Sequence, residues 1–180
     1  MLSKVEVVQG DITKLAVDAI VNAANEFMLG GGGVDGAIHR AAGPKLLEAC
    51  RVFPEVRKEV RCPTGDCRVT PGFQLPAKFV IHTVGPIWRG GYSGEESLLE
   101  SCYRRSLQLS IWLGCRSIAF PAISCGAYSF PIDKAAALSV RTIQSVLNSG
   151  AAFEQVILIA FERETYDAWR HALIEAERTR

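Results

Sequence analysis

Three short stretches of the chain carry groups that could do chemistry. Gln9-Gly10-Asp11-Ile12-Thr13 brings a carboxylate in directly after an apolar run. Asn22-Ala23-Ala24-Asn25 supplies two carboxamides, and Gly30-Gly31-Gly32-Gly33-Val34-Asp35-Gly36 follows with a second carboxylate. Pro121-Ala122-Ile123-Ser124-Cys125-Gly126-Ala127-Tyr128-Ser129-Phe130-Pro131 adds two hydroxyls, a thiol and a phenol among small residues. A carboxamide donates and accepts at once, so Asn25 is able to hold a hydroxyl in one orientation. A carboxylate such as Asp35 is able to orient and polarise a water. The second and third stretches both run into helical patterns. The first turn of a helix leaves its N–H groups unpaired, and with the helix dipole these favour a bound anion. Two such turns facing one crevice suit a pyrophosphate.

The elements that must position these stretches alternate along the chain. Val5–Val8 and Ala19–Asn22 read as strands, Asp35–Ala42 as a helix stopped by Gly43-Pro44, and Lys45–Arg51 as a second short helix. Phe79–Val84 is a strand ending at Gly85-Pro86. Glu95–Leu113 carries an apolar stripe at Leu98, Cys102, Tyr103, Leu107 and Ile111, closed by Gly114. Ser117–Phe120 is a short strand stopped by Pro121, which has no N–H for a central ladder. Pro131 opens a helix to about Asn148 with Ile132, Ala136, Val140, Ile143 and Leu147 on one face. Val156–Phe161 is apolar on both faces, as a strand covered by helices should be, and a helix over Glu164–Glu177 turns Tyr166, Trp169, Leu173 and Ala176 inward. Strands alternating with helices imply an α/β fold, a three-layer α/β/α sandwich around a mixed, mostly parallel sheet. Ligands of such sheets bind at the carboxyl ends of the strands, where chain direction diverges. With no linker, repeat or low-complexity stretch, residues 1–180 read as a single domain.

Several functions are disfavoured by the same residues. Gly31, Gly33 and Gly36 satisfy the GxGxxG pattern, but that fingerprint sits tight against its strand, and here about eight residues intervene after Asn22. No Gly-Lys-Ser or Gly-Lys-Thr follows, which disfavours a P-loop. A net charge of +1 gives no broad field to draw nucleic acid or anionic lipid, so a phosphate site must be local. No apolar run approaches the length of a membrane span, and the acidic Glu6 stands where a signal peptide would be apolar. The chain is therefore expected in the cytoplasm. Cys50, Cys62, Cys67, Cys102, Cys115 and Cys125 read as free thiols, because a chain this size needs no staples. Only Cys62 and Cys67 are close in sequence, and no second Cys/His pair joins them, so no structural metal is expected. Cys125 before a helix start raises one rival, a cysteine hydrolase with His39 or His82 as base.

Together the motifs carry a resemblance. Gly10-Asp11-Ile12-Thr13, Val21-Asn22-Ala23-Ala24-Asn25, the Gly30–Gly36 run with Ala37-Ile38-His39, His82-Thr83-Val84-Gly85-Pro86 and Pro121–Pro131 resemble a macrodomain of the MacroD type. In particular the chain is similar to the bacterial O-acetyl-ADP-ribose deacetylases, in order and over nearly all of residues 5–175. The resemblance implies ADP-ribose and O-acetyl-ADP-ribose as ligands and ADP-ribosylated proteins as partners, with no metal or redox cofactor. It implies ester hydrolysis, with a reader module that binds without turnover as the alternative.

The resemblance also assigns roles. Asp11, followed by the backbone of Ile12, would accept from the adenine amino group, against the plainer role of capping its own turn. Phe161 would stack on adenine, against the plainer role of a core aromatic. Asn22 would join the site; Asn25 would position the distal ribose and Asp35 would direct water at the ester carbonyl. Asp35 has a competing reading as a helix N-cap, which would stabilise its anion and weaken it as a base. Gly32, Gly33 and Val34, with Ser124, Cys125, Gly126, Ala127 and Tyr128, would line the phosphates and distal ribose. The family commonly has Ser-Thr-Gly, an aliphatic residue, Tyr, Gly and an aromatic before the proline, whereas this chain has Cys125, Ala127 and Ser129. Cys125 loses a hydroxyl for phosphate, and Ser129 is expected to fall short of the dihedrals glycine reaches, so affinity would be lower than typical.

Overall fold

A computed structural model of the chain describes residues 4–179. Its strands are β1 (Val5–Gln9), β2 (Ala19–Ala23), β3 (Cys67–Pro71), β4 (Phe79–Thr83), β5 (Ser117–Phe120) and β6 (Gln155–Ala160). Its α-helices are α1 (Gly33–Ala42), α2 (Pro44–Arg51), α3 (Glu95–Trp112), α4 (Ile132–Asn148) and α5 (Arg163–Arg178), with one 3-10 turn at Ile12–Lys14. The strands form one sheet in the order β1-β6-β5-β2-β4-β3. Every neighbouring pair is parallel except β3 with β4. That edge strand is absent from the sequence reading, because Cys67–Pro71 is half-buried, mixes polar with apolar residues and ends in proline.

Strand alternation divides the core. Ala19 and Val21 of β2 join Val156 and Leu158 of β6 under α3, α4 and α5. Ile20, with Ile157 and Ile159, faces the other way, toward Ile38 and Ala42 of α1 and Leu46 of α2. Completely burying an aliphatic side chain of this size contributes roughly 1.5–3 kcal/mol, so a one-residue slip of β2 would be costly on both faces. On α3 the buried stripe runs through Leu99, Cys102, Tyr103, Ser106, Leu107 and Ser110. Leu98 and Ile111 were expected in it, yet Leu98 is half-buried and Ile111 is 43% exposed. Two serines hold core positions there: Ser110 Oγ donates back to the Leu107 carbonyl at 2.8 Å, whereas Ser106 Oγ is buried without a partner among the described residues.

At the amino ends of the strands Asp18 ties the sheet together. Its Oδ2 accepts from the backbone N–H of Arg116 at 2.8 Å and of Ser117 at 3.1 Å, and Lys78 pairs with Oδ1. The opposite, carboxyl ends are free to build a site. From β2 the chain crosses to the edge strand β3 on one side, while from β5 it crosses to β6 on the other. The loops leaving β2 and β5 therefore diverge, which opens a crevice between them. No helix of the described residues is long and apolar enough to cross a membrane.

Candidate functional site

A crevice of about 850 Å³ runs across the carboxyl ends of the strands. It is lined by Gly31, Gly32 and Gly33 from the loop after β2 and by Gly126, Ala127 and Tyr128 from the loop after β5. α1 begins at Gly33 with Gly32 as its N-cap, and glycine brings no side chain to bond the first-turn amides. Among the described residues the N–H groups of Gly32, Gly33 and Val34 accordingly have no partner, nor do those of Gly126, Ala127 and Tyr128. The sequence led us to expect this convergence of open amides from two turns. The turns are held firmly: Cys125, Ser129 and Phe130 donate backwards within the third loop, and Trp88 N–H donates to the Tyr128 carbonyl at 2.8 Å.

Asp35 is the third residue of α1, not its cap, and is 4% exposed. Its Oδ1 accepts from Asn22 Nδ2 at 2.7 Å and lies 3.4 Å from His39 Nε2, one turn on. Its Oδ2 is buried without a partner among the described residues. Burial pushes the Asp35 carboxyl above its ordinary value, against the Asn22 hydrogen bond and the His39 charge, which pull it down. This reverses the expectation of a cap-stabilised anion: Asp35 stands in the first turn of α1, but among the described residues no first-turn N–H bonds its carboxylate, and burial outweighs what favours the charge. A raised carboxyl is a stronger base than an ordinary one. The close fit of α1 against the glycine turn depends on Gly36, where a β-carbon would stand 2.6 Å from the Gly31 carbonyl oxygen.

The other expected residues fall into place unevenly. Asn25 is half-buried on the crevice wall, with Nδ2 donating to the Gly30 carbonyl at 3.1 Å and Oδ1 accepting from Met28 N–H at 3.2 Å. Asn22 is fully buried behind Asp35 and does not line the crevice. Asp11 caps the 3-10 turn: Oδ1 accepts from the Thr13 hydroxyl at 2.7 Å and N–H at 2.9 Å, and these bonds hold its carboxyl low. Its second oxygen has no partner among the described residues, and Asp11 borders the crevice with Ile12 and Val34. Phe161 lies just beyond β6 on the crevice wall at 78% exposed, which removes the core reading. Ser124 has φ of 65° and a buried hydroxyl without a partner among the described residues. Ser129 has φ of 57°, so serine does adopt the left-handed conformation that was expected to need glycine.

Cys125 lines the crevice, but burial pushes its thiol up to about 12 and Sγ donates to the Ile123 carbonyl at 3.5 Å. His39 is engaged with Asp35, and His82 is buried with Asn22 and Thr70. A thiol in this state, bonded to no imidazole among the described residues, is no nucleophile.

The Macro domain family model matches residues 21–139, which span the strands and loops carrying both turns. This chain belongs to the macrodomain family. A macro domain-containing protein of Xanthomonas campestris is 53% identical over 174 residues, covering 97% of each chain. A protein of Salmonella newport named O-acetyl-ADP-ribose deacetylase is 53% identical over 165 residues, covering 92% of this chain and 91% of that one. Among solved structures, the Oceanobacillus iheyensis macrodomain with ADP is 44% identical, with a TM-score of 0.92 and coverage of 98% and 93%. The macrodomain fold is thus shown, and with it the α/β sandwich and mixed sheet.

Some contacts of this macrodomain's site escaped the sequence reading. His39, considered from the sequence only as a base for Cys125, instead stands one helical turn from Asp35 with Nε2 3.4 Å from Oδ1, an i,i+4 spacing easily taken for an ordinary helix pair. Arg40, one residue on, brings a cation to the crevice wall. Gly31 covers the carboxylate. Thr165 of α5 completes the end near Phe161, and no local motif marks it.

Proposed function

We propose that this macrodomain binds ADP-ribose in the crevice and hydrolyses esters on its distal ribose. The substrates are O-acetyl-ADP-ribose and, by the same chemistry, mono-ADP-ribose linked to acidic side chains of proteins. One observation carries the reading: two turns with open amides face each other beside a buried carboxylate of raised proton affinity. The diphosphate takes the amides of Gly32, Gly33, Gly126 and Ala127, with Val34, Ser124, Cys125 and Tyr128 closing around it and the distal ribose. Adenine lies against Phe161 and gives its amino hydrogen to Asp11, with the backbone of Ile12 assisting. A relative named for deacetylation of this nucleotide and a structural neighbour holding ADP support the assignment.

In the reaction Asn25 holds a distal ribose hydroxyl and Asp35 draws the proton of a water as its oxygen attacks the acetyl carbonyl. The bond between that carbonyl carbon and the ribose oxygen breaks, the ribose oxygen regains a proton, and acetate leaves. General-base assistance of this kind is worth about 10²–10⁴-fold. Incubation with O-acetyl-ADP-ribose, following acetate release, tests the reading. Asp35→Ala is expected to keep ADP-ribose affinity and lose turnover by at least about 100-fold; full activity in that variant removes Asp35 as the water-directing group.

A second reading, a reader that binds ADP-ribose without turnover, draws on two bonds. Both groups of the Asn25 amide are committed to loop backbone. Calorimetric binding by the wild-type chain with no acetate released would favour it.

A further inference from the structure

Asp35 is held from behind by a line of buried polar groups that crosses three strands. Parallel pairing sets Asn22 of β2 opposite His82 of β4, and antiparallel β3 brings Thr70 alongside. Asn22 Nδ2 is 2.7 Å from Asp35 Oδ1 and 3.1 Å from His82 Nδ1. The far ring nitrogen, Nε2, is 2.9 Å from Thr70 Oγ1 and 3.9 Å from Cys50 Sγ. Asn22, His82 and Thr70 are 0%, 1% and 3% exposed, so solvent offers them no alternative partners.

One carboxamide nitrogen facing both a carboxylate and a ring nitrogen fixes the direction of every bond. An ionised carboxylate only accepts, so Asn22 must present its NH₂. The second N–H then meets Nδ1, which must carry no proton. Burial, and after it the His39 charge, holds His82 down at about 3, so the ring is neutral and its single proton sits on Nε2, donated to Thr70. The reversed pattern is also self-consistent. With the proton on Nδ1, the carboxamide turns over and its carbonyl oxygen faces both His82 and Asp35, which only a protonated Asp35 tolerates. Asn22 Oδ1, buried without a partner among the described residues, has nothing else to hold it in either orientation.

We propose that His82 is a positioning residue for Asp35: its bare Nδ1 locks the Asn22 amide with N–H toward the carboxylate, linking Asp35 to the tautomer of a ring in the neighbouring strand. The inference rests on the reading of Asp35 as the water-directing group. Other groups face Asp35 as well. His39 approaches from its own helix. From α2 comes Cys50, whose thiol burial and then the Asp35 charge push up to about 12. Across the crevice Tyr128 is pushed up by burial, with Glu26 and Asp35 adding to it. None of these sets which end of the Asn22 amide meets the carboxylate, since none is bonded to that amide.

The test is nuclear magnetic resonance on the full chain with ¹⁵N-histidine and ¹³C-aspartate labels, titrated with pH beside the kcat/KM profile. In the wild type His82 is expected as the Nε2–H tautomer wherever Asp35 is ionised. His82→Phe removes the selecting nitrogen, and the near-isosteric Thr70→Val removes the acceptor for Nε2–H. Each is expected to raise the Asp35 midpoint and move the acidic limb of kcat/KM up with it. Each should lower kcat about ten-fold near that limb and leave the Kd for ADP-ribose within about three-fold. A proton on Nδ1 of the ionised wild type overturns the proposal, as does an Asp35 midpoint unmoved in every variant that folds. If the wild-type chain releases no acetate, the hydrolase reading fails by itself, while the tautomer and carboxyl signals, which need no turnover, still decide His82.

Discussion

Gly31 lies directly against the Asp35 carboxylate: a β-carbon there would stand 3.0 Å from Asp35 Oδ2 and 3.3 Å from Asn25 Nδ2. The two polar side chains of the proposed chemistry thus meet under a residue that has no side chain. Gly31→Ala is expected to displace them by a few tenths of an ångström. A small misplacement of a reacting group slows chemistry more than it weakens binding, so kcat should fall about ten-fold with ADP-ribose affinity nearly unchanged. Equal kcat in the two proteins would mean that this contact does not set the geometry of Asp35.

Phe161 is 78% exposed and supports nothing beneath it, so its value lies in what stacks on it. Base–aromatic stacking contributes roughly 1–3 kcal/mol, and Phe161→Ala should weaken ADP-ribose binding by about ten- to a hundred-fold in calorimetry. The melting temperature should stay within about 2 °C. A large drop in melting temperature with unchanged affinity would reverse the assignment.

Asp11 has two roles on two oxygens, and one substitution separates them. Asp11→Asn keeps an acceptor for the Thr13 cap, which the wild type forms at 2.7 and 2.9 Å. It places an NH₂ where the adenine amino group needs an acceptor. Affinity for ADP-ribose should drop about ten-fold or more while stability holds, a hydrogen bond to a charged group being worth roughly 1.5–3 kcal/mol. Retained affinity would leave Asp11 as a cap alone.

The raised Asp35 carboxyl has a consequence for stability. A carboxyl whose folded value exceeds its unfolded one keeps its proton longer in the fold. Its contribution is fully present below the ordinary carboxylate range and is lost as pH rises through the folded value. Asp35→Asn, which still offers Asn22 an acceptor, should therefore melt at a higher temperature than the wild type at pH 7. The gap should close toward pH 3. A variant less stable than the wild type at neutral pH would show that the buried carboxylate is fully compensated as an anion.

Much of this was legible in the sequence, for reasons that differ by residue. The parallel strands announced themselves as apolar runs between helical patterns, and the two crevice loops were marked by glycines opening helices after strands, together with the family resemblance of their motifs. What escaped depends on contacts between distant segments. β3 pairs only along one edge and needs no apolar pattern of its own. The start of α1 at Gly33 hid behind glycines that are poor helix formers, which made Asp35 look like a cap. Asn22 read as a ligand contact because its role depends on His82, sixty residues on, and on a strand register that no local motif encodes. Ser129 adopts a positive φ because the bonds closing its loop, from Ser129 and Phe130 N–H to Gly126 and Ser124, enforce it.

A crystal structure with ADP-ribose bound is the most direct measurement. Diphosphate oxygens are expected within about 3 Å of the amides of Gly32, Gly33, Gly126 and Ala127, with the distal ribose beside Asn25 and Asp35. A diphosphate seated away from those two turns, or a distal ribose at the Phe161 end of the crevice, would contradict the binding mode from which every role proposed for these residues follows.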